Sequence, residues 1–216
     1  MLIGEKMVLE KINKSYGDRL VIDNLSTEIK KGKIVVVMGD SGVGKTTILN
    51  IIARTTDFEG VHDFNDSIAY MFHDDRLIPN LNVGENLKLI CNDMDVASAL
   101  KSADLEGCEK LYPIELSAGM SRRVSLIRAM IYPAEILLLD EPFGNLDYSL
   151  KYKMMEMLQE RHKKTNNTII MVTHDIDEAV YLADRIIILG DGVIKKEFDK
   201  VSKDTRDQIL KFFLKK

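Results

Sequence analysis

The chain has 216 residues, 30 basic against 34 acidic side chains, a formal charge of −4 and 45% hydrophobic residues. At this size a folded chain buries roughly 70% of the surface it exposes when unfolded, so disulfide or metal staples are not required. Dispersed, near-neutral charge argues against a dedicated nucleic-acid surface, and apolar runs no longer than Ile34–Met38 exclude a spanning helix, which needs about 20 such residues.

Along the chain, Met1-Leu-Ile-Gly-Glu-Lys6 becomes charged too early for a signal peptide, so the expected setting is the cytosol. Val8–Ile12 and Leu25–Ile29 read as short strands around a turn at Tyr16-Gly17-Asp18, a small antiparallel lobe. Runs rich in Val and Ile then recur at Ile34–Met38, Ile68–Phe72, Ile136–Leu139, Thr168–Val172 and Ile186–Leu189, as strands buried on both faces. Between them, Leu150, Met154, Met157, Leu158 and Arg161 repeat at helix spacing, and so do Ile176, Ala179, Val180 and Ala183. Alternating strands and helices predict an α/β fold with a mostly parallel core sheet, in one domain spanning residues 1–216. Val83 to Leu111 lacks β-branched runs and suits short helices ending near Pro113, part of a helical insertion at about 80–130. Cys91 and Cys108 stand apart without a CxxC pattern and read as reduced thiols.

Gly39-Asp40-Ser41-Gly42-Val43-Gly44-Lys45-Thr46 follows the first buried strand and precedes the helical run from Thr47 to Ala53. That is the setting of a phosphate-binding P-loop: glycines let the backbone wrap an anion, and the amides and dipole of the helix start face it. Lys45 is placed to reach β- and γ-phosphates and the Thr46 hydroxyl to hold Mg²⁺. Asp140-Glu141 ends the strand Ile136–Leu139, where ligands of parallel sheets gather. Alone, such a pair is a helix cap or a solvated turn. Downstream of a P-loop, Asp140 reads as a Mg²⁺ partner and Glu141 as the general base that polarises the attacking water.

With these elements in this order, the chain resembles the ATP-binding subunit of ABC transporters over nearly its whole length. Leu116-Ser117-Ala118-Gly119-Met120 looks like the family's LSGGQ signature, with Ser117 and Gly119 matching and Ala118 and Met120 departing. The resemblance implies that this helix start binds the γ-phosphate held by a second subunit's P-loop, in an ATP-dependent head-to-tail homodimer. Tyr16 resembles the aromatic residue that stacks on adenine. Gly144-Asn145-Leu146-Asp147 resembles the loop that contacts the partner subunit, and His174, after the strand Thr168–Val172, resembles the switch histidine at the γ-phosphate. His73 stands where the family carries a glutamine that contacts Mg²⁺ and water; an imidazole coordinates a metal only through an unprotonated nitrogen. The short stretch from Lys45 to His73 predicts an antiparallel lobe lacking a hairpin.

Met120 and the run from Val172 to Leu189 look most like importer subunits of the nitrate, sulfonate and taurine group. The resemblance implies an ATPase using ATP and Mg²⁺, cytoplasmic and peripheral on the inner face of the cell membrane. It would energise a polytopic permease that docks at His73–Pro79 and the helical insertion, and would serve an extracytoplasmic solute-binding protein indirectly. Two other classes share parts of the pattern. A non-transport ABC ATPase acting on DNA or ribosomes carries coiled-coil arms or a second ATPase unit, and a P-loop kinase needs neither Ser117 nor His174.

Overall fold

A computed structural model describes residues 6–214. The N-terminal lobe is a three-stranded antiparallel sheet in which β1 (Lys6–Tyr16) lies between β2 (Arg19–Lys30) and β4 (Glu59–His62). Gly17, at φ +58°, makes the turn. Both long strands run further than the apolar alternation predicts, because the register shifts between Leu9 and Ile12 and again before Lys14. Each bulge, the first with Lys11 at φ +52°, interrupts the two-residue period without ending the strand.

The main sheet has six strands in the order β5-β6-β7-β3-β8-β9, comprising β3 (Ile34–Met38), β5 (Ile68–Met71), β6 (Ile136–Asp140), β7 (Thr168–Val172), β8 (Arg185–Gly190) and β9 (Val193–Phe198). All neighbours pair in parallel except β9, which runs antiparallel to β8 at the edge. Successive residues of the central strands bury into opposite faces. Val36, Leu137 and Met171 enter one core, whereas Val35, Leu138 and Ile170 enter the other. Each such burial stabilises by roughly 1.5–3 kcal/mol, which is why these strands are continuous apolar runs.

Helix α1 (Lys45–Ile52) leaves the end of β3, and α5 (Tyr148–Thr165), α6 (Ile176–Leu182) and α7 (Thr205–Leu214) follow β6, β7 and β9. Between β5 and β6 the chain is strandless and forms α2 (Val83–Lys88), α3 (Val96–Ser102), a 3-10 turn at Pro113–Glu115 and α4 (Ala118–Ile131). Asn82 and Glu85 close a reciprocal capping box at the start of α2. Between α1 and β5 stands the single strand β4. Among the described residues, no helix is long and apolar enough to cross a membrane.

Candidate active site

The strand order decides what meets. β6, β7 and β3 are adjacent and parallel, so the residues leaving their C-terminal ends converge: Asp140 and Glu141 from β6, His174 just beyond β7, and the Gly39–Thr46 loop from β3. His73, just past β5, borders the same edge.

The loop requires its glycines. A Cβ on Gly39, at φ +152°, would lie 2.4 Å from the Leu189 carbonyl oxygen. One on Gly44, at φ +103°, would lie 2.7 Å from Ile22 Cδ1. Lys45, only 8% exposed, donates from Nζ to the carbonyls of Gly39 and Asp40, both at 2.9 Å, and so holds its ammonium over the loop. The adjoining cleft, about 240 Å³, is lined by Tyr16, Arg19, Val21, Gly42, Gly44 and Lys45, together with Thr46 and Thr47. Tyr16 is half-exposed, with Lys14 Nζ 4.6 Å from its ring centroid. Arg19 Nη2 donates to the Gly42 carbonyl at 3.3 Å, adding to the cleft a cation that sequence spacing does not single out.

Thr46 Oγ1 donates to Asp140 Oδ2 at 2.8 Å. Asp140 is 1% exposed, and its other oxygen, Oδ1, is buried without a hydrogen-bond partner. Burial raises its pKa, against the pull of the Thr46 hydroxyl and the nearby His73 imidazole. A hydroxyl beside an orphaned carboxylate oxygen suits a hard divalent cation, which takes oxygen ligands. Among the described residues no three His, Cys, Asp or Glu side chains form a metal cluster, so such an ion would depend on phosphate oxygens as well.

A raised folded-state pKa stabilises the fold at acid pH, and that stabilisation is lost as pH rises through it. Asp140→Asn is therefore expected to raise the thermal midpoint at neutral pH. The gain should vanish as pH falls into the carboxylate range. Melting curves at several pH values check it, and an unchanged midpoint at pH 7 would count against a strained carboxylate.

Glu141, at φ +52°, is held by its N–H donating to the Val172 carbonyl at 2.9 Å, and its Oε2 lies 2.9 Å from His174 Nδ1. The Glu141 side chain is mostly buried while His174 is largely exposed, so the pair faces the solvent side of the site. Behind His174, Lys151 Nζ pairs with Asp175 at 2.6 Å and Glu178 at 2.8 Å, and Thr173 Oγ1 donates to Glu178 at 2.6 Å. Although burial opposes its charge, these carboxylates raise the Lys151 pKa. The network ties the start of α5 to the His174 turn, a role for Lys151 that helical periodicity does not reveal.

Ser117 caps α4, its Oγ accepting from the Met120 N–H at 3.3 Å. A Cβ on Gly119 would lie 3.0 Å from the Asn145 carbonyl, so the Ser117–Met120 turn packs on the Gly144–Asp147 loop, and Asp147 in turn caps α5. Ser117, Ala118, Gly119 and Met120 are not part of the Tyr16–Lys45 cleft.

A family model described as "ABC transporter" matches residues 22–144. The aliphatic sulfonates import ATP-binding protein SsuB 1 of Paracoccus denitrificans is 36% identical over 202 residues, 90% of this chain and 84% of that protein. The aliphatic sulfonates import ATP-binding protein SsuB of Bacillus cereus is 38% identical over 205 residues, covering 88% of this chain and 82% of its own length. The dimeric post-hydrolysis structure of the ATP-binding cassette MJ0796, bound to ADP and Pi, superposes with a TM-score of 0.80 at 30% identity, over 91% of this chain and 99% of that one.

Proposed function

The chain belongs to the ABC transporter family, as an ATP-hydrolysing subunit that energises solute import, and on that premise we propose how its residues divide the work. Two copies pair head to tail around two ATP molecules. In each site the Gly39–Thr46 loop and Lys45 bind the β- and γ-phosphates, Tyr16 stacks on adenine, and Ser117 and Gly119 of the other copy close over the γ-phosphate. What supports this reading is that Lys45, Glu141 and His174 share one edge of the sheet, and that the similar cassette MJ0796 is dimeric.

Glu141 accepts the proton of the attacking water, and His174, 2.9 Å from its carboxylate, orients that water and the γ-phosphate. Thr46 and Asp140 would hold Mg²⁺, with His73 at the margin. When bound there, the ion neutralises charge on the phosphate oxygens. Asp147 and its loop carry the contact with the partner subunit.

The membrane partner is a polytopic permease, and the chain works on its cytoplasmic side, peripheral to the inner face of the membrane. A groove of about 210 Å³ lies between β5 and α4, lined by Tyr70, Ile90, Ser125, Arg128, Ala129 and Tyr132. The relatives' cargo makes an aliphatic sulfonate the first solute to assay, delivered by an extracytoplasmic binding protein. Solute choice belongs to those partners. In a co-expressed complex with its permease, Leu77→Cys or Asn80→Cys should cross-link to a cytoplasmic permease loop, and ATP should drive uptake into vesicles. An active complex without such cross-links would move the docking site elsewhere, and vesicles that hydrolyse ATP without any uptake would refute the import assignment.

A further inference from the structure

The second turn of α4 carries a buried cation that does not line the Tyr16–Thr47 cleft. Arg122 is 4% exposed. Its Nη1 donates to the carbonyls of Phe72 at 3.1 Å and His73 at 2.9 Å, and pairs with Asp75 at 3.0 Å. Its Nε and Nη2 donate to the Glu141 carbonyl at 3.2 and 2.7 Å, and Nη2 also donates to the Asp140 carbonyl. One guanidinium therefore holds the peptide groups on both sides of the Glu141 Cα.

That hold bears on catalysis because Glu141 sits at φ +52°, a conformation a bulky side chain keeps only where its surroundings over-determine it. With both flanking carbonyls bound and the N–H on Val172, the backbone direction of Glu141 is set, and with it the carboxylate 2.9 Å from His174. The same face of α4 grips the loop that bears His73. Ser125 Oγ donates to the Asp75 carbonyl at 3.0 Å, and Arg128 donates to the carbonyls of Asp75 and Arg76, both at 2.8 Å. Only a planar fork with several fixed N–H directions can serve these segments together; an ammonium on a flexible stem offers a point charge instead.

We propose that Arg122 is a positioning residue: it sets the direction of the Glu141 carboxylate and ties it to the seating of α4. Engagement of Ser117 on one nucleotide then readies hydrolysis at the chain's own. The inference rests on the composite-site reading above, in which Ser117 serves the other copy's ATP.

The test uses the full-length chain with Mg-ATP and the variants Arg122→Lys, Arg122→Gln and Ser117→Arg. Arg122→Lys keeps a cation opposite Asp75 but loses the fork, and Arg122→Gln removes the charge while keeping a short donor. Both should bind nucleotide and dimerise with ATP as the parent does, yet show kcat about 100-fold lower with KM unchanged, the scale of a misplaced catalytic group. A merely structural charge pair predicts instead that Arg122→Lys restores stability and turnover together. Parental kcat in either folded variant, or ATP affinity falling in step with kcat, would overturn the proposal. So would failure of both to accumulate as folded protein, since Arg122 would then serve folding. The Ser117→Arg arm separates the two ideas: full activity there removes the composite site itself, whereas an inactive Ser117→Arg beside a fully active Arg122→Lys removes only the role of Arg122.

Discussion

Glu141→Gln is expected to slow ATP hydrolysis by about 100- to 10,000-fold, the range over which a positioned general base contributes, while leaving nucleotide affinity intact. The amide is nearly isosteric with the carboxylate and cannot take a proton from water. The change does not touch the backbone that places the side chain, because the grip on Glu141 runs through main-chain groups, its N–H on Val172 and its carbonyl on Arg122. Binding and chemistry should therefore separate, with ATP retained and an ATP-bound dimer accumulating on gel filtration. Lys45→Ala offers the contrast, since removing the ammonium from the loop should weaken nucleotide binding itself. Near-parental turnover in Glu141→Gln would reassign the base.

Ser117→Arg is expected to abolish hydrolysis, a loss of at least about 100- to 1,000-fold, by replacing an oriented helix-start donor with a bulky side chain where transition-state charge must be stabilised. Its effect on the same chain's nucleotide cleft should be nil, because Ser117 lies outside that cleft. Fluorescent-nucleotide titration and turnover, measured on one sample, give the two numbers needed. Equal losses of affinity and turnover would mean that Ser117 acts within its own chain.

The parts of the fold that sequence makes legible are those where one physical requirement dominates. β3, β6 and β7 are buried on both faces, so every position must be apolar, and runs such as Ile136–Leu139 announce themselves. β4 and β9 do not. Glu-Gly-Val-His and Val-Ile-Lys-Lys-Glu-Phe are edge strands facing solvent, where hydrogen bonding to β1 or β8 rather than composition determines the conformation. α7 is likewise short and partly exposed, and it carries no motif that marks it. The same division runs through the site. Gly39–Thr46 and Asp140-Glu141 are compact in sequence because a single turn or strand end presents them. Arg122 is not readable in this way, because its partners Phe72, His73, Asp75, Asp140 and Glu141 come from segments that only the fold brings together. Arg19 and Lys151 are hidden for the same reason: a lone cation on a strand or helix gains meaning only from the carbonyl or carboxylates it meets in space.

The composite site is the central claim, and specific ATPase activity as a function of chain concentration, with sedimentation run in parallel, tests it most directly. If Lys45 and Glu141 of one copy need Ser117 of another, specific activity should rise with concentration and level off as an ATP-dependent dimer forms, and nucleotide content should approach one ATP per chain in the Glu141→Gln dimer. Constant specific activity in a chain that sediments as a monomer throughout would contradict it.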